Sequence, residues 1–516
     1  MSNLSDLLPS GGGSKSAEFV ASGTLPNGQA VILNSDGTVT AVALSTQPVP
    51  IAVPTGSETA YTSAIVAFNT VQWDGATGRF VAVYADPSNS FYGTACVGTV
   101  TGTSIVFSSL YIWRSADSRN VKFAMDPNTA GKMVIVFSQN LGTLSGVVGT
   151  YTGTGASASM SFGSDAVILN YDIPGDLAVT YDPNTANRFV IMAHAPTNQG
   201  KGIVGNISGT TMTMGTAVDW AGSSGSAPYP RVVNGINYDK TADKFITAFA
   251  DGANSTALNA IVGTISSTDT LTFGTRTTSS LTGVIQTSIA GDPLRTTSGA
   301  IAYNTYASDV YTNKILVTTL SGTTVSFGAV TVFDTGAAYF SIFMGSGTQD
   351  IGGCVSVADP EPNGTYTVAA RTFTISGTSI GSLGTRYSML VIDPDPQKPN
   401  AQFNPAQLGQ FIVNYNLHGS SPYIGGRVQL GQFLVGSQQA TNLTTTNFVG
   451  MPDESYASGA TATVVAKGGV SLNQTSLTIG TTYYVQDNGS LGTSAGTVNV
   501  EAGRAISATS ILLKGK

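Results

Sequence analysis

The phrase YDPNTANRFV at 181–190 recurs along this 516-residue chain, and that recurrence limits the fold more tightly than any other feature. Related phrases are WDGATGRFV from Trp73, MDPNTAGKMV from Met125, YDKTADKFI from Tyr238, GDPLRTTSGAIA from Gly291 and FNPAQLGQFIV from Phe403. Their Asp or Asn markers stand at 74, 126, 182, 239, 292 and 404, in steps of 52, 56, 57, 53 and 112. The last step is twice 56, and a degenerate unit, FSIFMGSGTQDIGGCVSVA at 340–358, occupies the gap. Seven units follow from that spacing.

The second half of each unit has its own signature. GIVGNISGTTMTMGT at 202–216 compares with AIVGTISSTDTLTFGT, KILVTTLSGTTVSFGA and AARTFTISGTSIGSLGT. Alternating apolar residues flank a Ser-Gly or Thr-Gly pair, a hairpin signal in which glycine supplies the positive φ. Each unit thus reads as four strands. Strand a runs into the Asp corner, b follows it, c carries Val-Gly-Thr and d carries Thr-Phe-Gly. One such sheet cannot bury both faces alone, so neighbours must pack face to face about an axis. The expectation is an all-β chain: a seven-bladed β-propeller of four-stranded blades over 51–445. The alternative of stacked solenoid coils calls for shorter repeats. At the corner the Asp side chain caps backbone amides and Pro sets φ. One carboxylate per turn is too few oxygens for calcium.

Composition agrees. Charged residues are 10% of the chain, against about 25% in soluble domains, and the 61 glycines suit tight turns. A net charge of −7 with 22 scattered basic residues provides no basic stripe, so nucleic acid and anionic membrane surfaces are not expected partners. No apolar run approaches the roughly 20 residues of a membrane-spanning helix. The opening MSNLSDLLPSGGGSKSAEF has neither the basic start nor the apolar core of a signal peptide. Cys96 and Cys354 are the only cysteines, which excludes a disulfide scaffold and a cysteine zinc cluster and suits buried free thiols. No cofactor or metal is expected.

The ends do not follow the repeat but resemble each other. TLPNGQAVILNSDGTVTAVA parallels SLTIGTTYYVQDNGSLGTSA, and Gly28 to Gly37 and Gly480 to Gly489 have the same spacing. Segments 16–50 and 446–516 therefore read as one small β module formed by both termini. Residues 1–15, with Gly11-Gly12-Gly13-Ser14, read as a flexible anchoring peptide.

In a four-stranded blade the a–b and c–d turns share one rim, while b–c loops and blade connectors share the other. The second rim is the longer and more irregular one, as binding surfaces tend to be. Its connectors YIWRSADSR, DWAGSSGSAPYPR and LGTRYSMLVIDPDPQKPN supply Trp113, Arg114, Trp220, Tyr229, Arg231, Arg386 and Tyr387 as candidate receptor-binding residues. Aromatic platforms beside hydrogen-bonding groups suit sugars. The competing reading is that Trp and Tyr seal blade packing and Arg pins a loop. The b–c loops add Asp86, His194, Asp251, Asp309, Asp359, Glu361 and His418. Enzymatic readings are weak. A glycosidase needs two facing carboxylates that spacing does not pair here. Arg114, Arg231 and Arg386 offer the arginines of a sialidase-like site without its glutamate. His194 and His418 read as exposed loop histidines, and no Gly-x-Ser-x-Gly, Walker or His-Glu-x-x-His pattern occurs.

The opening MSNLSDLLPSGGG with FVASGTLPNGQAVILNSDGTVTAV, the tail LTIGTTYYVQDNGSLGTSAGTVNVEAGRAISATSILLKGK and the repeats themselves resemble virion structural proteins of tailed bacteriophages, notably marine and cyanobacterial ones. The resemblance implies a non-enzymatic virion component on the particle exterior, assembled in the host cytoplasm. It implies other virion proteins as partners through the N-terminal segment, homo-oligomerisation with a trimer among the options, and host-surface glycan at the irregular rim. Fibre or appendage is the leading expectation. Capsid decoration or head fibre is the alternative, and a glycan-cleaving depolymerase stands third.

Overall fold

Arg79–Asp86 pairs antiparallel with Ala67–Asp74 on one side and Tyr92–Thr101 on the other, and this trio recurs along the chain. The computed structural model describes residues 15–515, apart from 56, 140–141, 171–176, 196–198, 222–234, 252–255, 292–297, 346–350, 359–365, 393–395, 406–408 and 418–424. The chain divides into two compact units, Pro50–Val435 and a second made of Met1–Val49 with Gly436–Lys516.

In the larger unit seven sheets share one strand order among the described residues. Their first strands are Ala67–Asp74, Arg119–Met125, Leu177–Tyr181, Ile236–Asp239, Val284–Gly291, Ala337–Met344 and Pro396–Phe403. Strands b and c follow by hairpins, and the outer strand is broken into two pieces that both pair with c. In the first sheet these pieces are Ser104–Phe107 and Tyr111–Asp117. The segment YIWRSADSR, expected as an irregular connector, is thus largely strand. Its residues satisfy the backbone of Tyr92–Ala95, which the short d hairpin leaves uncovered. In the seventh sheet, Leu44–Pro54 and Thr59–Ala60 supply the outer pieces beside Gly426–Thr441. Chain segments almost 400 residues apart thereby close one sheet, as the hydrogen bond from Thr55 N to Leu430 O (2.9 Å) illustrates.

The recurrent phrase has a local explanation. Asp74, Asp126, Asp182 and Asp239 each accept, through Oδ1, the amide two residues on, at 3.0, 2.9, 2.8 and 3.0 Å. This Asx turn makes the a–b corner. The phenylalanine after the corner lies on a glycine of strand c. Phe80, Phe189, Phe245 and Phe411 stand in register with Gly98, Gly205, Gly263 and Gly431. A Cβ on those glycines would come within 2.0–2.2 Å of the ring. Corner and Val-Gly-Thr are therefore two halves of one packing unit, a ring covering a bare strand position.

Seven apolar clusters lie one between each neighbouring pair of sheets. Val81, Phe123 and Phe137 join the first and second; Val134, Val179 and Phe189 the second and third; Val190, Trp220 and Phe249 the third and fourth. The series continues through Ala260 with Ile301, Val317 with Phe340, and Val355 with Phe411. Trp73 and Phe80 then meet Ile412 and Leu430, returning the seventh sheet to the first. This cyclic face-to-face packing of repeated four-stranded sheets is the pattern of a β-propeller. Cys96 and Cys354 are buried in two of these interfaces, and burial pushes both thiols well above their ordinary range.

The smaller unit holds two five-stranded sheets. One runs Ser16–Val20, Thr461–Ala466, Phe448–Pro452, Val31–Leu33 and Val39–Ala41, so two strands from the C-terminal end lie between strands from the N-terminal end. The other comprises Val470–Ser471, Ile511–Leu513, Glu501–Ala505, Thr482–Val485 and Leu491–Gly492. The similar phrases NSDGT and QDNGS form the same turn. Gly37 N donates to Asn34 O at 3.1 Å and Gly489 N to Gln486 O at 2.9 Å. Apart from Lys15, the expected anchoring peptide lies outside the described residues.

Candidate binding rim and axial cavity

Strands a and c begin, and strand b ends, at one end of every sheet, so b–c turns and sheet connectors share that rim. Charge gathers there. Among the described residues, six of nine ion pairs lie toward it: Arg114–Asp165, Arg119–Asp117, Lys201–Asp219, Arg276–Asp251, Arg386–Asp334 and Arg427–Glu58. The opposite rim is closed by the Asx corners and holds the Asp182–Arg188–Asp269 group.

The most developed part of the b–c rim joins the first and second sheets. Arg119 Nε donates to both oxygens of Asp117, at 2.9 and 3.1 Å, and the guanidinium lies 4.5 Å over the Phe91 ring. The Asp117 carboxylate raises the Arg119 pKa further. Arg114 Nε reaches Asp165 at 2.7 Å, and its guanidinium lies 4.9 Å from the Phe137 ring. Phe68, Phe91 and Asn120 sit here at φ of +54°, +57° and +49°. Bulky side chains adopt that conformation rarely, and such strain collects at functional surfaces.

The residues singled out in the sequence are spread around the ring rather than joined. Trp113 and Trp220 belong to the first and third sheets and are only 4% and 5% exposed. Trp113 covers Gly93, stacks on Phe137 at 5.0 Å and donates from Nε1 to Thr94 O at 3.2 Å. Trp220 covers Gly200 and meets Phe249 at 4.8 Å. Tyr61 covers Gly426 in the same manner in the seventh sheet. These rings seal neighbouring sheets, so burial removes both indoles from any ligand's reach. Trp113→Ala would report a packing loss of about 3–5 kcal/mol. Arg114 is held by its ion pair. In the sixth sheet, Arg386 Nε lies 3.5 Å from Asp334 Oδ2, which also accepts from Ser356 Oγ, and Tyr387 is 42% exposed. Tyr229 and Arg231 lie outside the described residues, as do Asp359, Glu361 and His418.

His194, expected in an exposed loop, is a buried strand residue paired in register with Gly200. The strand outlasts its apolar run because Gly200 accommodates the outer strand beside it. Asp251 is likewise buried and accepts from Arg276 Nη1 at 3.1 Å. Asp86 caps the short turn Pro87–Asn89. Asp309 tips the b–c hairpin with the longest ladder among the described residues, where it accepts from Tyr306 Oη at 3.1 Å. There Tyr306, 49% exposed, lies 4.6 Å from the Tyr311 ring. Tyr306, Tyr311, Phe91, Asp117 and Arg119 were not among the sequence candidates. The doubled Tyr either side of ASDV was the available signal for the first two.

The first strands of all seven sheets also line an axial cavity of about 370 Å³. Among the described residues its lining includes Trp73, Phe123, Phe343 and Phe403 together with Thr70, Gln72, Asn237 and Gln402, and Lys122 is the one charged residue there. No group of three or more His, Cys, Asp or Glu side chains suited to a metal occurs among the described residues.

No family model matches this chain, and no curated protein matches it. Solved structures similar to it include the WD40 domain of SCAP from fission yeast, 11% identical with a TM-score of 0.41 over 76% of this chain and 98% of that one. Sqt1 from Chaetomium thermophilum is 10% identical with a TM-score of 0.40, covering 76% of this chain and 100% of that one. A mutant NanB sialidase from Streptococcus pneumoniae is 9% identical with a TM-score of 0.42, covering 74% of this chain and 70% of that one. Likeness at this level says nothing about activity.

Proposed function

We propose that this chain is a non-enzymatic adhesive component of a tailed-bacteriophage particle, presenting the b–c rim to a host-surface glycan. The propeller fold suits a binding or adhesive role, because a stapled ring holds loops from many sheets at fixed spacing. The observation that carries the reading is the gathering of ion pairs, exposed tyrosines and strained backbone on one rim of a chain with only 10% charged residues. Arg119 over Phe91 and Tyr306 beside Asp309 pair an apolar ring face with hydrogen-bonding groups, which sugars require. The resemblance of both chain ends to phage virion proteins supports the particle assignment. An exposed apolar strip in the smaller unit supports attachment to another virion chain. Val470 and Leu512 are register partners, 39% and 44% exposed, and Leu472 is 66% exposed.

Two measurements test this. Mass spectrometry of purified particles should find the chain in the virion; its absence removes the particle assignment. The purified protein should bind host-surface polysaccharide, and Arg119→Ala combined with Tyr306→Ala should weaken that binding at least about tenfold, equivalent to about 1.4 kcal/mol. Asn184→Ala on the opposite rim is the control. Equal binding by all three proteins would move the contact away from this rim.

A further inference from the structure

We propose that the outer face of the second sheet in the smaller unit docks a protein segment carrying a carboxylate between apolar side chains. The inference rests on the reading of this strip as an attachment face and names the chemistry of what it holds. Strand register defines the face. Val470 is the partner of Leu512, and Leu512 of Arg504, so the three form one row across three strands. All three are exposed. Their neighbours one position along, Ile511, Leu513 and Ala505, are buried in the unit's core, as strand alternation requires. Two positions beyond the row, Leu472 and Ile506 are exposed as well. Among the described residues, five of the fifteen exposed large hydrophobic side chains fall between 470 and 512, Ile479 being the fifth. Apolar surface gathered in this way marks a contact site.

The charge in that row selects the partner. Arg504 Nε donates to Gly480 O at 2.6 Å, which anchors the side chain beside Ile479. Among the described residues the guanidinium makes no ion pair and no other hydrogen bond, so its Nη1 and Nη2 donors point to no partner within the chain. Lys514 differs: its ammonium is paired with Glu501. Arg504 is therefore the uncompensated cation of an apolar face. A guanidinium held by one bond and open at its other two nitrogens takes a carboxylate in a two-point contact. Arginine beside apolar anchors is also a recurrent centre of binding energy in protein interfaces. A second copy presenting the same face would bring two Arg504 side chains together, which like charge opposes. An anionic lipid surface is held by several cations and a more strongly apolar face, and here one cation is uncompensated. An apolar protein segment with one carboxylate satisfies both the strip and its charge.

The test selects from a random dodecapeptide display library on the immobilised full chain, with Arg504→Glu as the counter-target. Enriched peptides should carry Asp or Glu flanked by Leu, Ile, Val or Phe. A synthetic copy of the leading peptide should bind the wild type at least about tenfold more tightly than it binds Arg504→Glu or Leu512→Ser. Replacing its carboxylate by the amide should weaken binding to the wild type by a similar factor, and Arg504→Lys should keep part of the affinity. Should Arg504→Glu fail to fold, Arg504→Gln and Leu512→Ser decide. The selection reads the face itself, so its failure is a separate result from absence of the chain in virions. No enrichment over the counter-target, enriched peptides without an acidic residue, or equal affinity for all the variants would each overturn the proposal. So would wild-type oligomers that dissociate in Arg504→Glu, which assign the face to a second copy. Saturable binding to phosphatidylglycerol vesicles that is lost in the same variants would assign it to lipid, with the same consequence.

Discussion

Replacing Tyr151 with Phe tests how one sheet is stapled to the next. Asp74 closes the first corner with no exposed surface. Its Oδ1 accepts from Ala76 N at 3.0 Å; its Oδ2 accepts from the second sheet, from Gly131 N at 2.8 Å and Tyr151 Oη at 2.6 Å. Burial and this carboxylate together hold the Tyr151 pKa well above its ordinary value, so the phenol stays a donor. Phe keeps the ring and deletes the hydroxyl's hydrogen bonds to buried Asp74 and to Thr77 Oγ1, at a cost of about 1.5–3 kcal/mol. With seven similar sheets, unfolding need not be two-state. Urea denaturation should therefore be paired with hydrogen exchange at Gly131. The expected result is a lower urea midpoint, faster exchange at Gly131, and a coupling of at least about 0.5 kcal/mol in a double-mutant cycle with Asp74→Asn. The second sheet supplies an internal contrast, since Asp126 Oδ2 is buried without a hydrogen-bond partner among the described residues. Asp126→Asn should cost less than Asp74→Asn. A loss below about 0.5 kcal/mol in Tyr151→Phe, with Gly131 exchange unchanged, would refute the stapling argument.

Two other outcomes follow from the packing. Gly205→Ala places a methyl 2.2 Å from Phe189 Cζ and should destabilise by about 1–3 kcal/mol, with Phe189→Leu in the same chain recovering part of the loss by thermal denaturation. Burial raises the pKa of Tyr61, Tyr84 and Tyr415 far above the usual range and pushes Tyr303 up to about 12. A raised folded pKa means that stability is complete below the unfolded tyrosine value of about 10 and declines above it, by about 1.4 kcal/mol per pH unit per tyrosine. The urea midpoint should hold from pH 8 to 9.5 and drop steeply by pH 11; a flat profile would count against buried protonated tyrosines.

Much of the architecture was legible without coordinates because its causes are local. An Asp that caps its own turn, a ring that needs a glycine opposite, and a hairpin that needs positive φ all act within one sheet. They repeat with the period of the sheet, so reading Asp74, Asp126 and Asp182 in series exposes the strand pattern. The break in the outer strand was hidden, because the second piece repeats no phrase: Tyr111–Asp117 and Val218–Ala221 share little beyond a buried Trp. Whether an aromatic faces solvent or a neighbouring sheet was equally unreadable. Trp113 looked like a platform until Phe137, from the next sheet, was found beneath it. The axial cavity is the extreme case. Lys122, Trp73 and Phe403 come from three different sheets, and only the closing of the ring brings them to one space. Local chemistry sets the period of the repeat; side-chain surroundings depend on residues one or more whole repeats away, and that distance is bridged only when the sheets pack.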